Sequence, residues 1–376
     1  MSEFAAGPAG RIERVRALMV ERGYDAIVVR DEANLRWLTG VKGVFDYTFE
    51  FPHAAFITAE QCLFHTDSRY LNSFEESTPA GSPWVYDMDE GTIPGWVAGK
   101  IAANKCRVCA VEDDMQINFY QGIQRGLEDL SVACMLPLMH DDIRKMRAIK
   151  DAEEIELMRH AQSITDAAFQ HMLGFIKPGM TEKQVRNELE NFMFANGADS
   201  LAFGSIVASG PNTANPHAVP SDRVIEKGDF VLMDYGAGYC DYRSDMTRTV
   251  VMGEPTQEQR DLYALVRRTH EECVAAIYPG VEGNDIFKLS KKIIGDAGYG
   301  DYYNHGLGHG VGIDIHELPN FNRSKNIIEV GSVITMEPGV YLPGVGGVRL
   351  EDYGVVTENG YEPFTKTPHD LHVIDC

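Results

Sequence analysis

The first third of the chain alternates helical and strand-like patterns of apolar residues. In "RIERVRALMVERGYD" the apolar positions recur at helical spacing, "AIVV" is a short apolar run, and "AAFITAEQCLFHTD" has the two-residue rhythm of a hairpin. A helix near "IPGWVAGKIAANK", a strand at "CRVCAVE", a helix near "INFYQGIQRGLED" and a strand at "VACMLPL" follow. This alternation predicts an α/β domain over residues 1–140. The charged segment "HDDIRKMRAIKDAEE" then marks a boundary, with a second domain over 141–376.

The second part opens on a well-signalled helix. Asp151 and Glu154 have the spacing of a capping box, and Ile155, Met158, Ala161, Ile164, Ala168, Met172 and Phe175 trace one apolar face. "KPGM" ends that helix, Thr181 with Gln184 starts another, and Thr256 with Gln259 starts a third after Pro255. A repeat then emerges. "FIKPGMTEKQV" matches "AIYPGVEGNDI" at an offset of 101 residues, and at nearly the same offset "GDFVLMDYG" matches "GSVITMEPG". Asp234 falls on Glu337, and "YRSDMTRTVV" over "VRLEDYGVV" sets Asp245 on Glu351. The pattern predicts a duplicated half-domain whose hairpins bring four acids to one centre.

Asp234 and Glu337 sit in apolar strand runs, where an unpaired charge is expensive. Arg243, Arg248 and Arg349 are close in sequence but too few to balance four acids plausibly, so divalent cations are the economical answer. Two cations bridged by carboxylates about 3.5–4 Å apart form a recurring hydrolytic device. Oxygen-rich ligation favours manganese over thiolate-loving metals, with cobalt or zinc as alternatives. One imidazole completes such a site, and "YNHGLGHGVGIDIHELP" supplies His309 among glycines that allow close backbone approach to a metal. A dinucleotide-binding loop fails because Val311 stands where the third glycine belongs, and a zincin motif fails because Asn320 replaces its second histidine.

A net charge of −22 argues against nucleic acid as partner. The N-terminus lacks the apolar stretch of a signal peptide, and no run of 18 apolar residues suggests a membrane span. Seven scattered cysteines suit a reducing cytoplasm, and the single C-x-x-C pair, Cys106 and Cys109, lacks the second pair of a zinc ribbon.

Five motifs in order, "NPHAVPSDR", "MDYGAGYCDYRSDMTRTV", "HGLGHGVGIDIHELP", "TMEPGVY" and "GVRLEDYGVV", resemble the pita-bread metallopeptidases, among them aminopeptidase P, prolidase and methionine aminopeptidase. "RVRALMVERGYDAIVVRDEANLRWLTG" and "LFHTDSRYL" are similar to the creatinase-type N-terminal domain of the proline-directed members. The resemblance implies a pseudo-twofold α+β pita-bread catalytic domain behind the α/β domain. It also implies two divalent metals held by Asp234, Asp245, His309, Glu337 and Glu351, and a homodimer. His217, His305 and His316 match the histidines that surround the metals and handle substrate, and Arg349 matches a basic residue beside the last ligand. The implied reaction is hydrolysis of an Xaa-Pro bond by a metal-bridging hydroxide, with Glu337 as proton acceptor.

Between an aminopeptidase acting on longer peptides and a dipeptidase, the residue after "HELP" bears on the choice. Prolidase-like sequences often carry a basic residue there, and this chain carries Asn320, with Arg323 the next basic residue. That departure tilts the expectation toward Xaa-Pro aminopeptidase, with prolidase as the alternative and a creatinase-like C–N hydrolase behind it. Arg349 or Arg323 would read the free carboxylate of a dipeptide. Thr247 and Thr249 are expected to serve as strand or supporting hydroxyls, and His65, His140, His160, His171, His270, His369 and His372 are assigned no role.

Overall fold

The computed structural model describes residues 7–44, 51–88, 91–322 and 325–376. They divide into two compact units, Met1–Arg147 and Ala148–Cys376. The charged segment forms a helix, Asp142–Ala148, and the division falls at its end.

The first unit is built on a five-stranded sheet in the order Val85–Asp87, Cys62–His65, Ala54–Thr58, Ala26–Val29, Cys109–Val111. Ala26–Val29 is central and buried at every position, so its sequence is an unbroken apolar run rather than an alternating one. The predicted hairpin pairs Ala54–Thr58 with Cys62–His65 antiparallel. "VACMLPL" forms only isolated bridges, Val108 with Met135 and Val111 with Leu138, because Pro137 has no N–H to give to a ladder. Cys106, which precedes the strand, and Cys109, its first residue, share one apolar cluster.

In the second unit all three predicted capping boxes form, at Asp151/Glu154, Thr181/Gln184 and Thr256/Gln259. They start the helices Ala152–Phe175, Glu182–Ala195 and Gln257–Ala275; a fourth, Gly283–Asp296, completes two helix pairs. Ile155 and Phe175 are only half-buried at the ends of the first helix, whose inward side also carries Gln162 and Thr165. Thr165 Oγ1 lies 2.7 Å from Ser244 Oγ, which explains a polar residue on that face.

The repeat is visible in the hydrogen bonds. Gly179 N donates to Ile225 O at 2.9 Å, and Gly280 N donates to Ile328 O at 2.7 Å. Each half has a sheet of the same order: Ile206–Ser209, Phe230–Tyr235, Met246–Met252 in the first, and Gly308–Gly310, Val333–Met336, Asp352–Thr357 in the second. Strand parity then does the sorting. Val231, Met233, Tyr235, Met246, Val250 and Met252 pack into one core under the first helix pair, and Ile334, Met336 and Val356 into a matching core under the second. The intervening residues face the other way, and the acids are among them.

Glu182, fully buried at the start of its helix, fixes a loop beside this face. Its Oε1 accepts from Ser209 N and Oγ (2.8 Å each) and Asn212 Nδ2 (3.0 Å), and its Oε2 accepts from Ser221 N (2.9 Å) and Oγ (2.6 Å). His217 lies in the segment so held. Glu182→Ala leaves these buried donors unpaired and is expected to cost about 3 kcal/mol in chemical denaturation. Amide exchange over residues 209–221 should accelerate with it. A stability within about 1 kcal/mol of wild type would mean that this loop is held by other contacts.

Candidate metal centre

Each acid arrives on a different piece of the two hairpins. Asp234 is in the Phe230–Tyr235 strand and Asp245 immediately precedes Met246–Met252. Glu337 directly follows Val333–Met336, and Glu351 lies between the Gly346–Arg349 and Asp352–Thr357 strands. The register places Thr247 opposite Asp234, and Thr247 Oγ1 donates to Glu351 Oε2 at 2.7 Å, so a hydroxyl ties one half's strand to the other half's acid. Thr249 Oγ1 donates to Arg349 O at 3.0 Å.

His309 is held between strands. Its backbone N–H donates to Thr335 Oγ1 at 3.0 Å, and its Nδ1 lies 3.0 Å from Gly310 O. With Nδ1–H donating to that carbonyl, the Nε2 lone pair is turned to the acids. Nε2 lies 3.6 Å from Asp245 Oδ2 and 3.7 Å from Glu337 Oε1, and one donor atom each of Asp245, His309 and Glu351 lies within 4.8 Å of the others. The flanking glycines have a different reason from the one expected. A Cβ at Gly308 would run into the Thr335 carbonyl, and one at Gly310 into that of Leu318, so glycine is required by close strand packing rather than by approach to a metal.

Burial and mutual repulsion set the electrostatics. Burial, then the neighbouring acids, push the Asp245 and Glu351 carboxyls well above the usual range. Burial raises Glu337 to about 8, against the pull of Arg349. Burial lowers His309 to about 4, with His316 adding to the effect. Burial is the leading cause of each shift, and repulsion among the acids adds to it at Asp245 and Glu351. Asp234 Oδ1 is buried and has no hydrogen-bond partner among the described residues. An orphaned carboxylate oxygen, three more acids and one presented imidazole form a donor set that fits hard or borderline divalent cations.

Arg349 is 2% exposed and fully engaged. It reaches Asp234 Oδ2 at 2.6 Å, Tyr341 OH at 2.8 Å, Thr247 Oγ1 at 3.0 Å and Pro216 O at 3.4 Å. It therefore faces an acid of the centre, not the open cavity. His305 also stands behind the wall, with Nε2 2.9 Å from Tyr341 OH, Nδ1 2.6 Å from Gly306 O, and burial pushing it down to about 3. Tyr341, which links the two, carried no motif in the sequence. The register of its hairpin, Gly339 opposite Arg349 and Tyr341 opposite Gly347, brings it there.

A cavity of about 510 Å³ opens over the centre. Asp234, Asp245, His309, Glu337 and Glu351 are on its wall, together with His217 and His316, both exposed. The His316 ring stands edge-on to His309, centroids 4.3 Å apart. Phe203, Ile206, Val219 and Ile315 give the rest an apolar character, and Arg186 is a cation among the described lining residues. Its Nε donates to Asn187 Oδ1 at 2.8 Å. Arg323 lies outside the described residues.

Comparison with known proteins agrees with this architecture. Residues 11–149 match the creatinase/prolidase N-terminal domain, and residues 156–358 match metallopeptidase family M24. An Xaa-Pro dipeptidase of Pyrococcus furiosus is 44% identical over 232 residues, 61% of this chain and 67% of the relative. The solved structure of an Xaa-Pro dipeptidase from Bacillus anthracis superposes with a TM-score of 0.89 at 36% identity, covering 98% of this chain and 100% of that one. An X-Pro aminopeptidase structure from Thermotoga maritima superposes with a TM-score of 0.85 at 30% identity, covering 97% and 100%. The chain belongs to metallopeptidase family M24 and is a metal-dependent peptidase of the pita-bread fold with a creatinase-type N-terminal domain.

Proposed function

We propose that this chain is an Xaa-Pro dipeptidase whose metal ligands are Asp234, Asp245, His309, Glu337 and Glu351. The carrying observation is the convergence of these donors on the floor of a cavity with His217 and His316 on its wall. The choice of dipeptidase over the aminopeptidase expected from Asn320 rests on the similarity to Xaa-Pro dipeptidases, one 44% identical over 61% of this chain and one 36% identical over 98% of it, beside an X-Pro aminopeptidase 30% identical over 97%. Asn320 is thus a weaker guide than the rest of the chain.

Divalent cations, manganese first, supply Lewis acidity and a water acidic enough to be a nucleophile near neutral pH. The chain's own residues do the remainder. Glu337, held ionised by the bound cations, accepts the proton of the attacking water and passes it to the leaving proline nitrogen. His316 and His217 donate to the oxygen on which negative charge develops. Arg349 holds Asp234 in place, with Tyr341 and His305 behind it, so these three act as positioning residues behind the centre. A dipeptide's free carboxylate needs a cation. Arg349 is committed to Asp234, which leaves Arg186 as the candidate on the described wall.

Manganese-loaded protein is expected to cleave an Xaa-Pro dipeptide and leave an Xaa-Pro-Yaa tripeptide intact, read by mass spectrometry; cleavage of the tripeptide before proline would restore the aminopeptidase reading. Glu337→Gln should abolish turnover, and retention of a tenth of the wild-type rate would remove Glu337 from the base role. Arg186→Met should raise KM for dipeptides several-fold with kcat nearly unchanged, whereas an unaltered KM hands carboxylate recognition to Arg323.

Metal binding should also depend on pH in a defined direction. An unfolded Glu titrates near about 4.3, while Glu337 in the metal-free fold is raised to about 8. Between these values the metal-free folded state holds more protons than the unfolded one, so its stability falls as pH rises. Bound cations keep the carboxylate ionised and remove that loss. The gain in Tm on manganese loading is therefore expected to be larger at pH 8 than at pH 6, and an equal gain would contradict the assignment.

A further inference from the structure

Glu351 faces the centre, so the next residue, Asp352, points to the opposite side of the strand, toward the Gln257–Ala275 helix. There its Oδ2 lies 2.6 Å from His369 Nε2 and 3.6 Å from His270 Nε2. The two imidazoles stand nearly perpendicular, centroids 4.6 Å apart, and one donor atom from each of the three side chains lies within 4.8 Å of the others. His270 is 1% exposed, and neither of its ring nitrogens has a hydrogen-bond partner among the described residues. A buried imidazole left in that state is a cost that a native core rarely carries without reason.

The other oxygen of Asp352 is already oriented. Oδ1 accepts from Arg248 Nη2 at 2.6 Å. Arg248 also donates to the carbonyls of Glu351 (2.6 Å), Thr367 (2.7 Å), Thr247 (3.0 Å) and Pro368 (3.3 Å), so it is fixed by backbone independently of Asp352. His369 Nδ1 faces Glu271 Oε1 at 4.0 Å. Partners of this kind, on the far oxygen of a carboxylate and the far nitrogen of an imidazole, are what aim ligand atoms at a metal. An ion pair of Arg248, Asp352 and His369 alone would explain every one of these contacts except the placement of His270.

We propose that His270, Asp352 and His369 form a further metal site, for a borderline divalent cation of the zinc type, separate from the carboxylate centre. Two imidazoles and one carboxylate select zinc, nickel or copper over manganese. The side chain of His369, 23% exposed, gives the site an opening to solvent. A cation there joins three separate pieces: the Gln257–Ala275 helix, the C-terminal segment that carries His369, and the strand that begins next to Glu351. Its function is structural, a staple behind the catalytic floor, and it does not depend on which peptide the enzyme cleaves.

The test uses the full chain, loaded with manganese and then equilibrated with zinc and gel-filtered. Metal analysis should find about one zinc per chain more in wild type than in His369→Gln or His270→Gln. Manganese-loaded His369→Gln should hydrolyse its Xaa-Pro substrate within about twofold of wild type. Diffraction at the zinc edge from wild-type crystals should give an anomalous peak bounded by the three side chains. Equal zinc content in wild type and His369→Gln, or a zinc-edge map without that peak, would overturn the site. If His270→Gln does not fold, the variant at the more accessible His369 and the wild-type map decide the matter without it, and both read metal rather than peptidase activity.

Discussion

Four carboxylates brought together in a buried wall, with one guanidinium among them, are the constraint on which the rest of the second unit depends. In a poorly solvated site burial penalises each charge and the acids repel one another, and the raised carboxyls of Asp245, Glu337 and Glu351 express burial first and repulsion second. Arg349 pulls on all of them but hydrogen-bonds only Asp234 among them, and only one of its oxygens. A fold that keeps such a wall must either protonate it or fill it with cations. The presented lone pair of His309, fixed by the Gly310 carbonyl, favours the second.

The sheet is what allows the wall and the core to coexist. Because side chains alternate along a strand, Val231, Met233 and Tyr235 enter a helix-covered core while Asp234 is delivered to the other face. The second half repeats this with Ile334, Met336 and Glu337. Duplication thus provides two apolar cores and two sets of acids from one pattern, and Thr247 closes the pair by bonding Glu351 across the halves.

Much of this was legible in the sequence, for local reasons. Capping boxes and strand runs are short-range patterns that led to the helices and hairpins, the repeat led to the four acids, and the glycine-rich histidine stretch with the family resemblance led to His309 and the set of five proposed ligands. What failed to show was set by cross-strand register. Tyr341 reaches Arg349 because their hairpin pairs in one particular way, and Arg349 turns out to be committed to Asp234 rather than facing substrate. The glycines around His309 were legible as special, but their reason, collision with the Thr335 and Leu318 carbonyls, lies in strands distant in sequence. Pro137, by contrast, was visible and sufficient to show that "VACMLPL" could not be a full strand.

His270 and His369 illustrate the same limit more sharply. They are 99 residues apart in the numbering, one on a helix and one near the C-terminus, and no spacing rule joins them. Their meeting point is Asp352, whose direction follows from that of Glu351: adjacent acids on an extended backbone must face opposite ways. Arg248 spans the two environments, binding the Asp352 carboxylate on one side and the Glu351 and Thr247 carbonyls on the other. Any movement of Asp352 would therefore be felt at the backbone that presents Glu351. The rigidity that a catalytic floor requires is in this chain a property of both faces of one strand.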